Sequence, residues 1–91
     1  VEKLISRHKV MVFSKSYCGH SRAAKTLLKQ QGIQHTVVEL DQHPNGAMMQ
    51  KYLGAKTKQH TVPQTFKKGR FIGGNSDLQR HMEVGKLKKI L

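Results

Sequence analysis

The sequence predicts an α/β domain, a four-stranded mixed β-sheet flanked by helices on both faces. Three observations predict it. Val10-Met11-Val12-Phe13 is a continuous apolar run with β-branched members, the mark of a strand buried on both faces. A helical pattern over 20–31 lies between that run and a second apolar stretch at 34–40, so those strands are joined by a crossover and run parallel. Further on, Lys68-Gly69 separates two short strand-like segments, 61–66 and 70–72, as the turn of an antiparallel hairpin.

Each element has its own warrant. Val1, Leu4 and Ile5 stand at helical spacing and open a short leading helix, with Arg7 and His8 suited to its negative end. Residues 9–14 form the first strand, and 17–19 the loop leaving it. In the helix over 20–31, Ala23, Ala24, Leu27 and Leu28 share a stripe while Arg22, Lys25, Lys29 and Gln30 take the other side; Gly32 stops it. Val37, Val38 and Leu40 supply the core of the second strand. Turn formers fill 41–46, and a third helix offers Ala47, Met48, Tyr52 and Leu53 for burial and ends at Gly54. A polar loop is expected at 55–60. Pro63 cannot donate to a ladder, so it lies at the start or edge of its strand. Gly73-Gly74 breaks the returning strand. Ser76 with Gln79 then reads as a capping box, with Asp77 as a first-turn acid and Leu78, Met82 and Val84 as the inner face. Gly85 interrupts that helix, and 86–91 read as a last basic, amphipathic turn or two. No repeat or linker divides the chain, so residues 1–91 are expected to form one domain.

Composition narrows the function classes. The net charge is +12, with lysines spread along the chain and no dense basic arm or aromatic platform for stacking bases. Nucleic acid is therefore not the expected partner, and most of these lysines read as a solvated surface. No apolar run approaches a membrane span. The six histidines show no paired metal-ligand spacing, so no dedicated zinc site is expected. The single cysteine rules out an internal disulfide. An unpaired thiol points to a reducing compartment, the cytoplasm. The first residue is Val1 rather than Met, so a processed or excised chain is expected, with organellar or secretory origin open.

That cysteine, Cys18, is either a small buried hydrophobe or a nucleophile. Lys15 stands three residues before it, and the helix beginning just after it would place the sulfur over exposed N–H groups at a positive dipole end. Both favour thiolate, the reactive species. Cys18 therefore reads as the working atom.

Four separated pieces, in order, carry a family likeness: Phe-Ser-Lys-Ser-Tyr-Cys at 13–18, Thr-Val-Pro at 61–63, Gly-Gly at 73–74 and Ser-Asp at 76–77. With them the chain resembles a glutaredoxin of the C-x-x-S type, with a thioredoxin-like fold. The resemblance implies a glutathione-dependent thiol-disulfide oxidoreductase with a cis peptide bond before Pro63. It implies Cys18, Lys15 and Ser21 as catalytic residues, with Lys15 and Gln50 on the glycine carboxylate of glutathione. Thr61, Val62 and Pro63 would meet its cysteine portion, Gly74, Ser76 and Asp77 its γ-glutamyl end, and Tyr17 would lie beside the thiol as a lid.

Ser21 stands where dithiol members carry a second cysteine. A serine cannot close a disulfide, so the resemblance implies a monothiol route acting on protein–glutathione mixed disulfides, by a monomer. Gly19, where proline is commoner, implies a second reading: a [2Fe–2S] cluster bridging two subunits through one Cys18 from each and two glutathiones. His20 and the lack of an inserted loop depart from the usual cluster carriers.

Overall fold

The computed structural model describes residues 1–83. Its elements in chain order are α1 (Glu2–Arg7), β1 (Val10–Ser14), α2 (Gly19–Gln30), β2 (Thr36–Glu39), α3 (Gly46–Thr57), β3 (Gln64–Lys67), β4 (Arg70–Gly73) and α4 (Asn75–Glu83). The expected Val84 contact, the Gly85 break and the basic turns at 86–91 lie outside the described residues.

The four strands form one sheet in the order β2-β1-β3-β4. β1 pairs parallel with β2 and antiparallel with β3, and β3 pairs antiparallel with β4. Central β1 is buried along its whole length, as the unbroken apolar run requires, whereas edge strand β2 is only half-buried. The hairpin turn has two residues with positive φ, Lys68 at 49° and Gly69 at 85°, the mirror-type turn that matches strand twist.

The pleat sends alternate β1 side chains to two cores. Val10 and Val12 pack with Ala24, Leu27 and Leu28 of α2 and Leu78 of α4. Met11 and Phe13 pack on the other face with Ile5, Leu40, Met49, Leu53 and Phe66. Phe13 and Phe66 meet edge to face with centroids 5.9 Å apart. Helices thus cover both faces, and β1 ends at Ser14 just below Cys18.

Two helices depart from expectation, and β3 begins at Gln64, after Pro63, rather than at 61, as a proline with no N–H for the ladder favours. Helix α3 does not stop at Gly54 but runs to Thr57, removing the first part of the expected loop, and Lys58 caps it at φ 65° with its N–H on the Gly54 carbonyl. Nor do Ala47, Met48 and Tyr52 face inward: Met48 is 74% exposed and Tyr52 44%. The helix is rotated so that Gly46, Met49, Leu53 and Gly54 are buried. Gly46 lies so close to β2's exit that a Cβ there would sit 1.7 Å from the Leu40 carbonyl oxygen, and one on Gly54 would meet the His60 ring. Glycine contact, not side-chain hydrophobicity, sets this face. The outward Tyr52 hydroxyl donates to Glu2, which also pairs with Lys56 at 2.8 Å, clasping α1 to α3.

The second departure is the start of α4. The helix begins at Asn75, one residue before the expected cap, because Gly73 at φ 135° turns the chain early. The capping acid is Asp77, whose Oδ2 accepts the Gly74 N–H at 3.0 Å; Ser76 lies within the first turn. Gln79 donates instead to the Asn75 side chain at 3.2 Å.

Candidate functional site

Cys18 is the N-cap of α2. Its N–H closes a turn onto the Lys15 carbonyl at 3.0 Å, and its own carbonyl accepts the Arg22 N–H. The sulfur faces the Val62 carbonyl at 3.9 Å, immediately before the cis Val62–Pro63 bond. The thiol is held below its usual pKa, first by the Ser21 N–H, then by the Ser21 hydroxyl, the His20 N–H and the Lys15 ammonium, against the opposing cost of desolvation. Unpaired N–H groups at a helix start produce this wherever a thiol caps the helix. Cys18 is half-buried, so its sulfur is supported yet reachable.

Ser21 is fully buried, and its hydroxyl lies 3.5 Å from the Lys15 N–H. It therefore fixes the loop before Cys18 as well as supporting the sulfur. A second brace escaped the sequence reading. Asp41, in the turn after β2, accepts the Ser16 N–H at 2.9 Å and also the Ser16 hydroxyl. These bonds, Ser16 hydroxyl first, hold the Asp41 carboxyl below its usual pKa. Parallel pairing of β1 and β2 puts their C-terminal loops side by side, which is the signal that could have found it.

Beside Cys18 lies a hollow of about 330 Å³ lined by His20, Gln59, Thr61, Val62, Pro63, Gly74, Asn75, Ser76 and Asp77. Of the expected ligand residues, it unites Thr61, Val62, Pro63, Gly74, Ser76 and Asp77 with the thiol's rim. Lys15, Tyr17 and Gln50 do not line it. Lys15 acts on the sulfur through charge, Tyr17 is 68% exposed, and the Gln50 amide donates to the His60 carbonyl at 3.4 Å, beneath the loop before Pro63. Asp77 has both oxygens engaged, one on Gly74 and the other on Arg80 at 2.8 Å.

Gln59 and Gln64 are the wall residues that the sequence reading missed. Gln64 is 2% exposed; its Nε2 donates to the Gln59 carbonyl at 2.6 Å and the Thr61 carbonyl at 3.2 Å, and its Oε1 accepts from Thr57 at 3.2 Å. Gln59 donates in turn to the Pro63 carbonyl at 3.4 Å. A glutamine on a buried strand directly after a proline was the available signal.

A low-pKa thiol at a helix N-terminus, facing a residue before a cis-proline at the end of a four-stranded mixed sheet, defines the class: a thiol redox protein of thioredoxin-like fold. Comparison with known proteins carries this further. The family model for glutaredoxin matches residues 10–72. Glutaredoxin-2 of Schizosaccharomyces pombe is 47% identical across 91 residues, spanning 100% of this chain and 83% of that protein. The crystal structure of a buckwheat glutaredoxin–glutathione complex superposes with a TM-score of 0.95 at 37% identity, over 99% of this chain and 82% of that one. The holo form of glutaredoxin C1 from Populus tremula x tremuloides gives 0.93 at 38% identity, over 97% and 87%. The chain belongs to the glutaredoxin family and is a glutaredoxin-type, glutathione-dependent thiol oxidoreductase.

Proposed function

We propose that this glutaredoxin reduces protein–glutathione mixed disulfides by a monothiol route through Cys18. The observation that carries this is a low-pKa thiol with a buried serine, Ser21, where a resolving thiol would have to stand. The Cys18 thiolate attacks the glutathione sulfur of the mixed disulfide. A Cys18–glutathione bond forms, the original S–S bond breaks, and the target leaves as a thiolate that takes a proton from water. A glutathione thiolate then attacks the glutathione sulfur held on Cys18, releasing glutathione disulfide and restoring the Cys18 thiolate. Each cycle consumes one free glutathione thiol, which leaves joined to the glutathione taken from the target as glutathione disulfide, while the target sulfur is reduced to a thiol.

In this reading the cysteine portion of glutathione lies along Thr61-Val62-Pro63. Its γ-glutamyl carboxylate takes the free N–H groups at the start of α4, beside Gly74, Ser76 and Asp77, as helix starts favour anions. Asp77 would exchange its exposed Arg80 partner for the ligand's ammonium, a low-cost trade because surface ion pairs contribute about 0–1 kcal/mol. Lys15 and Gln50 would reach the glycine carboxylate. A reducing compartment, the cytoplasm, suits the unpaired thiol. Exposure to glutathione disulfide should add one glutathione to Cys18 by mass spectrometry, and Cys18→Ser should abolish turnover in a coupled assay. Full turnover by that variant would overturn the mechanism.

A second reading rests on Gly19. A Cβ there would meet nothing within 4 Å, so the chain's own packing does not call for a glycine at this position. Among the described residues no group of three or more His, Cys, Asp or Glu could hold a metal. As the family resemblance implies, a [2Fe–2S] cluster would take one Cys18 from each of two copies and two glutathione thiolates. Anaerobic reconstitution with glutathione tests this, and a colourless monomer rejects it.

A further inference from the structure

We infer that the pole opposite Cys18 holds a second binding site, for a compact polyphosphorylated small molecule. A broad, open hollow of about 690 Å³ lies where α1 and α2 end and β1 and β2 begin. It is remote from the thiol: β1 spans about 13 Å from Val10 to Ser14, and Lys29 lies about 15 Å along α2 from Gly19. Nothing in the proposed thiol chemistry uses it.

Arg7, Lys9 and Lys29 line the hollow, all exposed, and among the described residues no carboxylate does. Four acids of the described residues are engaged with other partners: Glu2 pairs with Lys56, Glu39 with Lys25 and Asp77 with Arg80, while Asp41 holds Ser16. The C-termini of α1 and α2 point here and contribute about half a negative charge each, which three full cations exceed. His8 and His35 complete the rim, fixed through Nδ1 to the Thr36 hydroxyl at 3.1 Å and the Ile33 carbonyl at 2.8 Å. The hairpin reinforces the field. Its Lys68 N–H donates to the Lys9 carbonyl at 2.8 Å, setting a second hollow lined by Lys67, Lys68 and Arg70 against the first. Summed over such a concavity, like charges concentrate anions.

Shape selects the ligand. The volume lies in the range of small-molecule sites, and the cations approach from the end of α1, the connection into β1 and the end of α2, which suits phosphates directed to several sides. Among the described residues no Phe, Tyr or Trp lines the hollow to offer a broad stacking face for a base, and the His8 and His35 rings are each tied through Nδ1 to the protein. Among the described residues the large exposed apolar side chains, Tyr17, Met48 and Tyr52, lie outside it and offer nothing there for insertion into a bilayer.

The test is titration calorimetry of the whole chain with inositol hexakisphosphate and inorganic tripolyphosphate at physiological salt. Saturable one-to-one binding is expected. Lys9→Gln and Lys29→Gln should each weaken it by about fivefold, while Lys51→Gln on α3 leaves it unchanged; all three should melt alike and keep basal thiol turnover. Equal weakening by Lys51→Gln would reduce the effect to diffuse charge and overturn the site. So would the absence of saturable binding, or tighter binding of duplex DNA or phosphatidylserine vesicles lost through the same two variants.

Discussion

The two walls of the hollow beside Cys18 are built by different means. The α4 wall is local: Asp77 caps Gly74 three residues back, and the helix supplies its own free N–H groups. The wall formed by 59–63 has no regular structure and hangs from side-chain amides, with Gln64 and Thr57 gripping it from β3 and α3. A helix start re-forms after a single contact is lost. A loop held from two other elements, by the Gln64 amide and the Thr57 hydroxyl, does not.

The sharpest way to break this comparison is Gln64→Leu. It keeps the volume but removes the three hydrogen bonds of the Gln64 amide, to the Gln59 and Thr61 carbonyls and from the Thr57 hydroxyl. The Gln59 carbonyl keeps the Thr57 hydroxyl and the Thr61 carbonyl keeps the Gln59 amide, so the cost is that of the lost bonds, about 1 kcal/mol each, and a loss of about 2–3 kcal/mol is expected by denaturant melting. KM for a glutathionylated peptide should rise more than kcat falls, because the loop positions ligand and does not carry the thiol. A proportionate fall in kcat with unchanged KM would refute the positioning role.

Asp77→Ala tests the other wall. Loss of a capping acid costs about 1 kcal/mol, so the variant should melt only slightly lower while KM rises through a loosened Gly74. If Asp77→Ala proved as destabilising as Gln64→Leu, the contrast between the walls would collapse.

What the sequence could show follows the same division. Cys18, the strands around it, the hairpin at Lys68-Gly69 and the acid at Asp77 were legible because each rests on neighbours within a few residues or on strict periodicity. The cis bond at Pro63 came through family resemblance. The rotation of α3 was not legible: apolar pattern favoured Met48 and Tyr52, and the deciding term was how closely Gly46 could approach the Leu40 carbonyl. The Asp41 brace and the Gln64 grip were hidden for a related reason. Each joins polar side chains to backbone across elements, and no periodicity records such a bond.

The thiol's own supports allow a finer comparison, between hydrogen bonds and charge. Cys18 is depressed below its unfolded value, so its thiolate fraction, and with it the rate of attack, rises with pH through that lowered pKa. Ser21→Ala removes the hydroxyl but keeps the Ser21 N–H, the leading support. The rising limb of iodoacetamide alkylation should therefore move to higher pH without reaching that of a free cysteine. The stability linkage has the same sign. The depressed thiol stabilises the fold fully above the unfolded pKa, and that contribution is lost as pH falls through the folded one.

Lys15→Gln should give the smallest displacement, since its charge is the weakest of the supports and acts at a half-exposed site. Charge across solvent is screened within about 8 Å at physiological salt, whereas a hydrogen bond from Ser21 is not. Raising the salt to about 1 M, where the screening length is about 3 Å, should therefore carry the wild-type alkylation profile onto that of Lys15→Gln and leave the Ser21→Ala displacement intact. If Lys15→Gln shifted the profile further than Ser21→Ala, or if salt erased both shifts equally, the order of hydrogen bonds over charge at Cys18 would be reversed.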